Sequence, residues 1–238
     1  ALVDSAEFYL KLENFSREQI LEKRLFAPAP TSLTDLSLSR FSEEVASKKA
    51  TPGGGSVSAY MGALAAGLVC MVARITLSKK EVAQESDRLQ EFVRKGEDLR
   101  QRFLGLVVED AESFDAVMQA FKLPKDKPDV RRKAIQETTM KAAEIPLRTL
   151  ESSIEVLRLS NEVAKCGATN ALSDVTTSVA GARAAIEGAA GNVLINLDAL
   201  DDKPYVDQTR LRVSKLRKEG LQLEQQIQEL IVSRSRKK

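Results

Sequence analysis

The sequence contains no histidine among its 238 residues. Ser-His-Asp and Cys-His catalysis, His-ligated zinc sites and imidazole acid–base chemistry are therefore all excluded. Any proton transfer in this protein must use carboxylate, lysine, tyrosine or cysteine side chains.

Cysteine is also scarce, since the chain has only Cys70 and Cys166. They lie far apart in the sequence and neither has a CxxC partner, which argues against a zinc site and a disulfide framework. The first residues lack a basic segment followed by an apolar run, so no signal peptide is visible. We therefore expect a cytoplasmic protein. Because the chain starts with Ala1 rather than Met, we also expect a processed or excised piece.

Glycine and proline are few, with 12 and 7 residues, and they cluster in short stretches rather than at strand-to-strand spacing. The chain is therefore predicted to be mostly helical. The proline-rich stretch 27–32 marks a boundary, because alternating prolines cannot continue a helix. We predict an N-terminal helical appendage with its linker over residues 1–30 and a helical domain over residues 31–238. Lys and Arg number 36 against 34 Asp and Glu, which predicts no nucleic-acid partner.

Two predicted helices, 57–75 and 175–197, consist almost entirely of apolar and small residues, which predicts that both are buried all round. A membrane span is the alternative for the first, but its Ala and Gly content and Arg74 argue against it, and no membrane partner is expected. Further long helices are predicted at 80–121, from the end of the 123–128 loop to about 165, and at 206–230. Together they predict an all-α bundle of long antiparallel helices around two buried small-residue helices. The apolar surfaces that need covering predict a homodimer or a higher homo-oligomer.

Local patterns predict three further features. Ser173 or Asp174 is expected to cap the helix that starts near residue 175. Pro146 is expected to kink the helix that contains it, because its ring replaces a backbone donor. The basic tail at 233–238 is expected to be solvated charge.

Asp110 interrupts an apolar stripe that runs from Leu89 to Ala120 at alternating spacings of three and four residues. The pattern places this carboxylate on the core seam of the helix, one turn from Leu106 and Phe114. An arginine or backbone donors could satisfy it there, or the packing could end locally and let it reach water. Otherwise it is a buried carboxyl group with a raised pKa, and hence a candidate proton shuttle.

Two further patterns leave a structural and a functional interpretation open. Asn192 and Asn196 lie one helical turn apart in an apolar segment, and their amides need partners on another helix or on a polar ligand. The glycines at 53–55 have no strand before them and no Lys-Ser/Thr after them, so they form neither a dinucleotide fold nor a P-loop. They are either a flexible turn or a binding loop whose free N–H groups open the next helix.

Four segments in this order resemble the formiminotetrahydrofolate cyclodeaminase / methenyltetrahydrofolate cyclohydrolase family: 51–57 (TPGGGSV), 108–114 (VEDAESF), 166–174 (CGATNALSD) and 192–197 (NVLINL). The resemblance covers about residues 36–230. It implies an all-α homodimer that closes or opens the one-carbon bridge between two nitrogens of tetrahydrofolate. Residues 7–13 and 17–25 weakly resemble the end of a formiminotransferase domain, which implies such a domain as a partner and tilts the choice toward cyclodeaminase.

The resemblance also implies roles for individual residues. The catalytic aspartate of the family falls on Asp110, which would carry a proton from the attacking nitrogen to the departing amine. No metal and no cofactor beyond the tetrahydrofolate substrate is implied. Lys79 and Lys80 match a basic pair that could meet a polyglutamate tail, or they form a solvated pair. The residues implied to bind the substrate are Pro52, Gly53, Gly54, Gly55, Ser56, Lys79, Lys80, Gly167, Asn170, Ser173, Asp174, Asn192 and Asn196.

The sequence departs from the family pattern at two places in one loop. Ala168 stands where the family usually has asparagine, and residues 175–178 (VTTS) replace a Gly-Val-Ala-like run. Both changes bear on affinity and specificity for the substrate. Three hypotheses follow: a cyclodeaminase, a methenyltetrahydrofolate cyclohydrolase, and a non-catalytic folate-binding dimer.

Overall fold

The structure of the protein is a computed structural model, and it describes residue 9 and residues 32–79 and 85–236. Apart from Tyr9, the predicted appendage over residues 1–30 lies outside the described residues. Lys80 also lies outside them.

Six α-helices and two short 3-10 turns account for most of the described residues, and no β-strand occurs in residues 32–79 and 85–236. The 3-10 turns are Leu33–Asp35 and Thr169–Ala171. The helices are α1 (Leu38–Val45), α2 (Gly54–Leu77), α3 (Ser86–Phe121), α4 (Pro128–Cys166), α5 (Leu172–Leu197) and α6 (Lys203–Ser235). The all-α prediction is confirmed.

Four long helices form the centre of the bundle. Each of α2, α3, α4 and α5 packs against the next one in the chain, and α5 returns to pack against α2. The connections from α3 to α4 and from α4 to α5 are short, so consecutive helices run antiparallel, as the sequence predicts. Helix α6 lies outside this ring against α4 and α5, and ring packing between Phe41 and Tyr60 holds α1 against α2.

Small residues let α2 and α3 approach closely. A Cβ atom on Gly62 would lie 2.4 Å from the Phe103 ring, and one on Gly96 would lie 2.4 Å from Cys70 Sγ. The apolar stripe predicted for α3 is buried here, including Leu89, Phe103 and Leu106. Burial raises the pKa of the Cys70 thiol to about 11, so this group stays protonated near neutral pH.

The prediction that α2 and α5 are buried all round is wrong. Met61 and Leu64 of α2 are 37% and 53% exposed, and Ile195 of α5 is 69% exposed. The bundle covers α2 on three sides with α3, α4 and α5, which leaves its fourth side uncovered. By length and composition α2 could cross a membrane, with a mean hydropathy of 1.8, but 61% of the apolar window lies buried inside the bundle.

Two local predictions also need correction. Helix α5 starts at Leu172 with Ala171 as its N-cap and no side-chain cap, because the 3-10 turn before it leads straight into the helix. Ser173 and Asp174 therefore lie inside its first turn. Helix α6 continues into the basic tail, and the Arg234 guanidinium donates to the backbone oxygens of Ala164 and Gly167 at 2.6 and 2.8 Å. These are C-terminal carbonyls of α4, which the helix itself leaves without donors.

Helix α4 runs without a break through Pro146, which lies buried in its interior.

Candidate active site

Asp110 lies where α3 passes the first turn of α2. The hydroxyl of Ser56 donates a hydrogen bond to Asp110 Oδ2 at 2.8 Å. The free N–H groups and positive dipole at the start of α2 point to this region and favour negative charge there. The structure therefore brings together the two segments that carried the strongest sequence signals.

Gly55 makes this approach possible. A Cβ atom at this position would lie 2.0 Å from Asp110 Oδ1, which is closer than any real contact of a carbon atom. Gly53 is the N-cap of α2 with extended backbone. The glycines are therefore not a flexible turn. Gly53 caps α2, and Gly54 and Gly55 form its first residues, with Gly55 packed against the Asp110 carboxyl group.

Burial raises the pKa of the Asp110 carboxyl above its ordinary value. The side-chain hydroxyl and the backbone N–H of Ser56 lower the pKa in part, because both donate toward the ionised form. No charged side chain contributes to the pKa within the described part of the chain. The arginine partner considered from the sequence is therefore not what balances this carboxyl group.

Asn192 and Asn196 lie opposite Asp110 at the end of α5. The Nδ2 atom of Asn192 donates to the oxygen of Gly188 at 2.8 Å, and Nδ2 of Asn196 donates to the oxygens of Ala142 and Asn192 at 3.0 Å. Helix carbonyls thus occupy the donor side of each amide. Each Oδ1 atom remains an acceptor available to a ligand.

These groups line one cavity of about 330 Å³ between the start of α2, the C-terminal half of α3 and the end of α5. Its size is at the lower end of the range for small-molecule sites. Of the residues predicted to bind substrate, Gly53, Gly54, Gly55, Asn192 and Asn196 lie in its wall with Asp110. Pro52 and Ser56 do not: Ser56 is fully buried, and Pro52 lines a different cavity together with Leu33 and Ala111.

The remaining predicted residues within the described ranges lie at the other end of the bundle. Lys79 Nζ donates to Asn170 Oδ1 at 3.3 Å, and Gly167 and the first turn of α5 with Ser173 and Asp174 are close by in the chain. The 24 residues of α2 separate this end from the Asp110 cavity, which is about 36 Å at 1.5 Å per residue. One chain therefore has two separate groups of predicted site residues.

The two departures from the family pattern belong to this distant group. Ala168 is buried and its backbone N–H donates to Thr76 Oγ1 at 2.8 Å, which ties the loop to the end of α2. Ser178 is buried too and donates to the oxygen of Ala65. The geometry around Asp110 therefore does not depend on either change.

Several residues that line the cavity were not predicted as site residues from the sequence. Phe114 and Val117 follow Asp110 on the same side of α3, Ile195 lies between the two asparagines, and Ala142 comes from α4. The spacing of Phe114 four residues after Asp110 could have identified it. Nothing in the sequence around Ala142 marks it, because its place depends on how α4 packs against α5.

Residues 37–215 match the family described as formiminotransferase-cyclodeaminase. The chain is 34% identical over 201 residues to the methenyltetrahydrofolate cyclohydrolase of Methylorubrum extorquens, covering 83% of this chain and 97% of that protein. It is 33% identical over 208 residues to the formimidoyltransferase-cyclodeaminase of Rattus norvegicus, covering 86% of this chain but only 38% of the rat protein.

A similar structure is the crystal structure of formiminotetrahydrofolate cyclodeaminase from Thermotoga maritima, with a TM-score of 0.76 and 27% identity. The match covers 83% of this chain and 96% of that chain. The similarity therefore extends from short motifs to the whole helical bundle, and it confirms the resemblance found in the sequence. The chain belongs to the cyclodeaminase/cyclohydrolase family of enzymes that act on folate derivatives.

Proposed function

We propose that this protein is a formiminotetrahydrofolate cyclodeaminase, which converts 5-formiminotetrahydrofolate to 5,10-methenyltetrahydrofolate and releases ammonia. The observation that carries the proposal is Asp110, a carboxyl group with a raised pKa in the wall of a cavity between helix ends. A carboxyl group whose pKa is raised holds a proton more readily than an ordinary aspartate, which suits this reaction because it needs both a base and an acid.

In the reaction, N10 attacks the carbon of the protonated formimino group on N5, and the Asp110 carboxylate takes the proton from N10. The tetrahedral carbon then carries N5, N10 and a neutral amino group. The Asp110 carboxylic acid returns the proton to the amino group, the carbon–nitrogen bond breaks, and ammonia leaves with the methenyl bridge formed. The carboxyl group ends the cycle in its starting state.

The polar wall of the cavity would orient the substrate. The Oδ1 atoms of Asn192 and Asn196 can accept hydrogen bonds from N–H groups of the pterin ring, because the amide donors are held by helix carbonyls. Gly53 and Gly54 bring backbone close to the cavity without side chains in the way. Phe114 and Ile195 add apolar surface for the flat ring.

A second candidate reaction is the hydrolysis of methenyltetrahydrofolate. The relative named as a methenyltetrahydrofolate cyclohydrolase is matched over 97% of its length, whereas the rat relative is matched over 38%. In that reaction Asp110 would take a proton from the water that adds to the same carbon. Both reactions use one carbon centre, so the geometry of the cavity suits either of them.

The test is a comparison of initial rates with the two folates for the wild type and Asp110→Asn. Absorbance reports the methenyl product or substrate, and an ammonia assay separates deamination from hydrolysis. We expect Asp110→Asn to lower kcat by roughly 10²- to 10⁴-fold, the usual range for a lost acid–base group. Asp98→Asn removes the same charge from an exposed position of α3 and should leave kcat unchanged.

Undiminished turnover in Asp110→Asn would refute the proton-shuttle mechanism. Ammonia release from 5-formiminotetrahydrofolate supports the cyclodeaminase, and turnover of methenyltetrahydrofolate alone supports the cyclohydrolase. Folate binding without turnover of either substrate would leave a non-catalytic folate-binding dimer.

The proposal includes a homodimer. The uncovered face of the bundle carries large apolar residues on α2, such as Met61 and Leu64, beside small residues on α5, such as Ala180 and Ala184. A two-fold antiparallel pairing along this face would place large residues of one copy on small residues of the other. It would also bring the end of the partner that carries Lys79 and Asn170 toward the Asp110 cavity, where it could hold a polyglutamate tail.

A formiminotransferase domain is the proposed partner. The rat relative is named for both activities, and it is much longer than the region that matches this chain.

A further inference from the structure

Ser56 is placed differently from the substrate-binding residue that the sequence suggested. Its exposed fraction is 0%, it does not line the cavity, and its hydroxyl contacts Asp110 Oδ2 at 2.8 Å. A group in this position cannot touch a substrate in the cavity. Its effect on the reaction must pass through the Asp110 carboxyl group.

The direction of this hydrogen bond follows from the surroundings. In the described part of the chain, the Ser56 hydroxyl donates its only recorded hydrogen bond to Asp110 Oδ2. A proton on Oδ2 would leave this fully buried hydroxyl without an acceptor, which costs free energy, so the arrangement with Oδ2 as the acceptor is favoured in both protonation states of the carboxyl group. When Asp110 is protonated, the acidic proton belongs on the other oxygen, Oδ1, because a carboxylic acid has one donor and one acceptor oxygen.

Oδ1 is also the carboxyl oxygen that lies nearest to Gly55. A Cβ atom there would lie 2.0 Å from Oδ1 and 2.7 Å from Oδ2, so the carboxyl group, and Oδ1 most of all, fills the place that a side chain would take. Oδ1 accepts no hydrogen bond from another side chain in the described ranges.

We propose that Ser56 is a positioning residue that fixes the Asp110 carboxyl group through its hydrogen bond to Oδ2 and so leaves Oδ1 as the oxygen that carries the transferable proton. This inference rests on the proposed role of Asp110 in proton transfer and adds which oxygen performs it. The backbone N–H of Ser56 assists from the first turn of α2.

Within residues 32–79 and 85–236, the groups that line the cavity around the carboxyl group from neighbouring helices are uncharged. They are Gly54 and Gly55 of α2, Ala142 of α4, and Asn192, Ile195 and Asn196 of α5. A change in the titration of Asp110 after a change at Ser56 can therefore be assigned to the lost hydrogen bond, since no charged neighbour of the carboxyl group is altered.

The first experiment measures kcat and KM against pH for Ser56→Ala. We expect kcat to fall roughly 10- to 100-fold, the size expected for a hydrogen bond to a charged group, with KM nearly unchanged. The limb of the kcat profile that reports ionisation of Asp110 should move to higher pH, because a donor that lowers the pKa has been removed. Ser56→Cys keeps a weak donor in the same place and should restore part of the rate and of the limb position.

Ser153→Ala is the matched control. Ser153 is likewise 0% exposed and donates at 2.8 Å, but its acceptor is the backbone oxygen of Thr149 in α4, away from the cavity. Its kcat and pH profile should equal those of the wild type. An unmoved limb in Ser56→Ala, an effect on KM alone, or an equal effect in Ser153→Ala would each overturn the proposal.

A second experiment needs no turnover. Carbon-13 NMR of labelled aspartate carboxyl groups, with Asp110→Asn to assign the signal, follows the titration of Asp110 without substrate. Ser56→Ala should raise its midpoint, whereas an unchanged midpoint overturns the positioning role even if the wild type is active. If the wild type turns over neither folate, the proposed function fails, and a raised midpoint still supports the coupling of Ser56 to Asp110.

Discussion

Asp110 combines two demands that oppose each other. Its carboxyl group lies on the buried seam of α3, where burial raises its pKa, and the proposed proton transfer requires it to ionise there. Charging the group in this place costs folding free energy, which the two donors of Ser56 offset in part. The proposed role of this residue therefore opposes the stability of the fold.

The stability of Asp110→Asn should reveal this cost. The folded-state pKa of Asp110 lies above its unfolded value near 3.8, so its contribution to stability is fully present below that pH and is lost as the pH rises through the folded pKa. Asparagine keeps an acceptor for Ser56 and does not titrate. We expect the variant to have a higher Tm than the wild type at neutral pH, with the difference vanishing below about pH 4.

Thermal unfolding followed by circular dichroism at several pH values measures this difference. The other carboxylates are common to both proteins and cancel in the comparison. Equal melting temperatures at neutral pH would show that burial of Asp110 carries no cost.

At the scale of elements, α2 and α3 make a close contact at Gly62 and Phe103. A Cβ on Gly62 would lie 2.4 to 2.7 Å from three atoms of the Phe103 ring. Phe103 is fully buried and cannot swing aside without opening the core. The small residues of α2 thus set the distance between the two helices that hold the active site together.

Gly62→Ala should therefore lower the free energy of unfolding by about 1–3 kcal/mol, the usual cost of overpacking a core. Gly67 on the same helix is the control, because its nearest neighbour is Arg100 Cδ at 3.8 Å, an ordinary contact. Gly67→Ala should raise stability by roughly 0.5–1 kcal/mol through helix propensity. Chemical denaturation at one protein concentration compares the two, and equal effects would refute the close contact.

The elements that could be predicted from sequence are those in which burial repeats along the helix. The apolar stripe on α3 from Leu89 to Ala120 alternates with polar residues. The buried face of this helix and the position of Asp110 on it could therefore be predicted from the sequence. Helices α2 and α5 lack a polar face, and periodicity could not show which side stays uncovered. The contact of Arg234 with Gly167 joins positions 67 residues apart and depends on how α6 crosses the bundle.

The same limit applies to the site. The glycines and Asp110 were predicted together, and the structure joins them. The motif that contains Asn170 was assigned to the same site, but it lies at the far end of α2. The order of motifs along the chain does not tell how far apart they lie in space. That distance depends on how the helices pack.

At the scale of the whole molecule, the uncovered face of α2 and α5 is the surface on which the proposed dimer would form. Its apolar side chains are contiguous along the helices rather than scattered, which is typical of an interaction surface. We expect light scattering of the wild type to give the mass of a dimer, and Leu64→Glu to give a monomer, because the new charge would be buried without a partner. A monomeric wild type would contradict the proposed assembly.

The same variant tests whether the two groups of site residues cooperate across copies. Position 64 is exposed on α2 and does not line the Asp110 cavity. If the partner completes the site, monomeric Leu64→Glu should lose turnover although its Asp110 titrates as in the wild type. An active monomer would show that the cavity is sufficient by itself.

The contact between Gly55 and Asp110 also limits which amino acids can replace either residue during evolution. No side chain at position 55 fits beside the carboxyl group, so a lineage that retains the chemistry must inherit both residues together. Once a descendant loses the aspartate, this steric constraint on position 55 is gone, and other residues can replace the glycine. We therefore expect relatives that keep the proposed proton-transfer aspartate to keep glycine at position 55 as well.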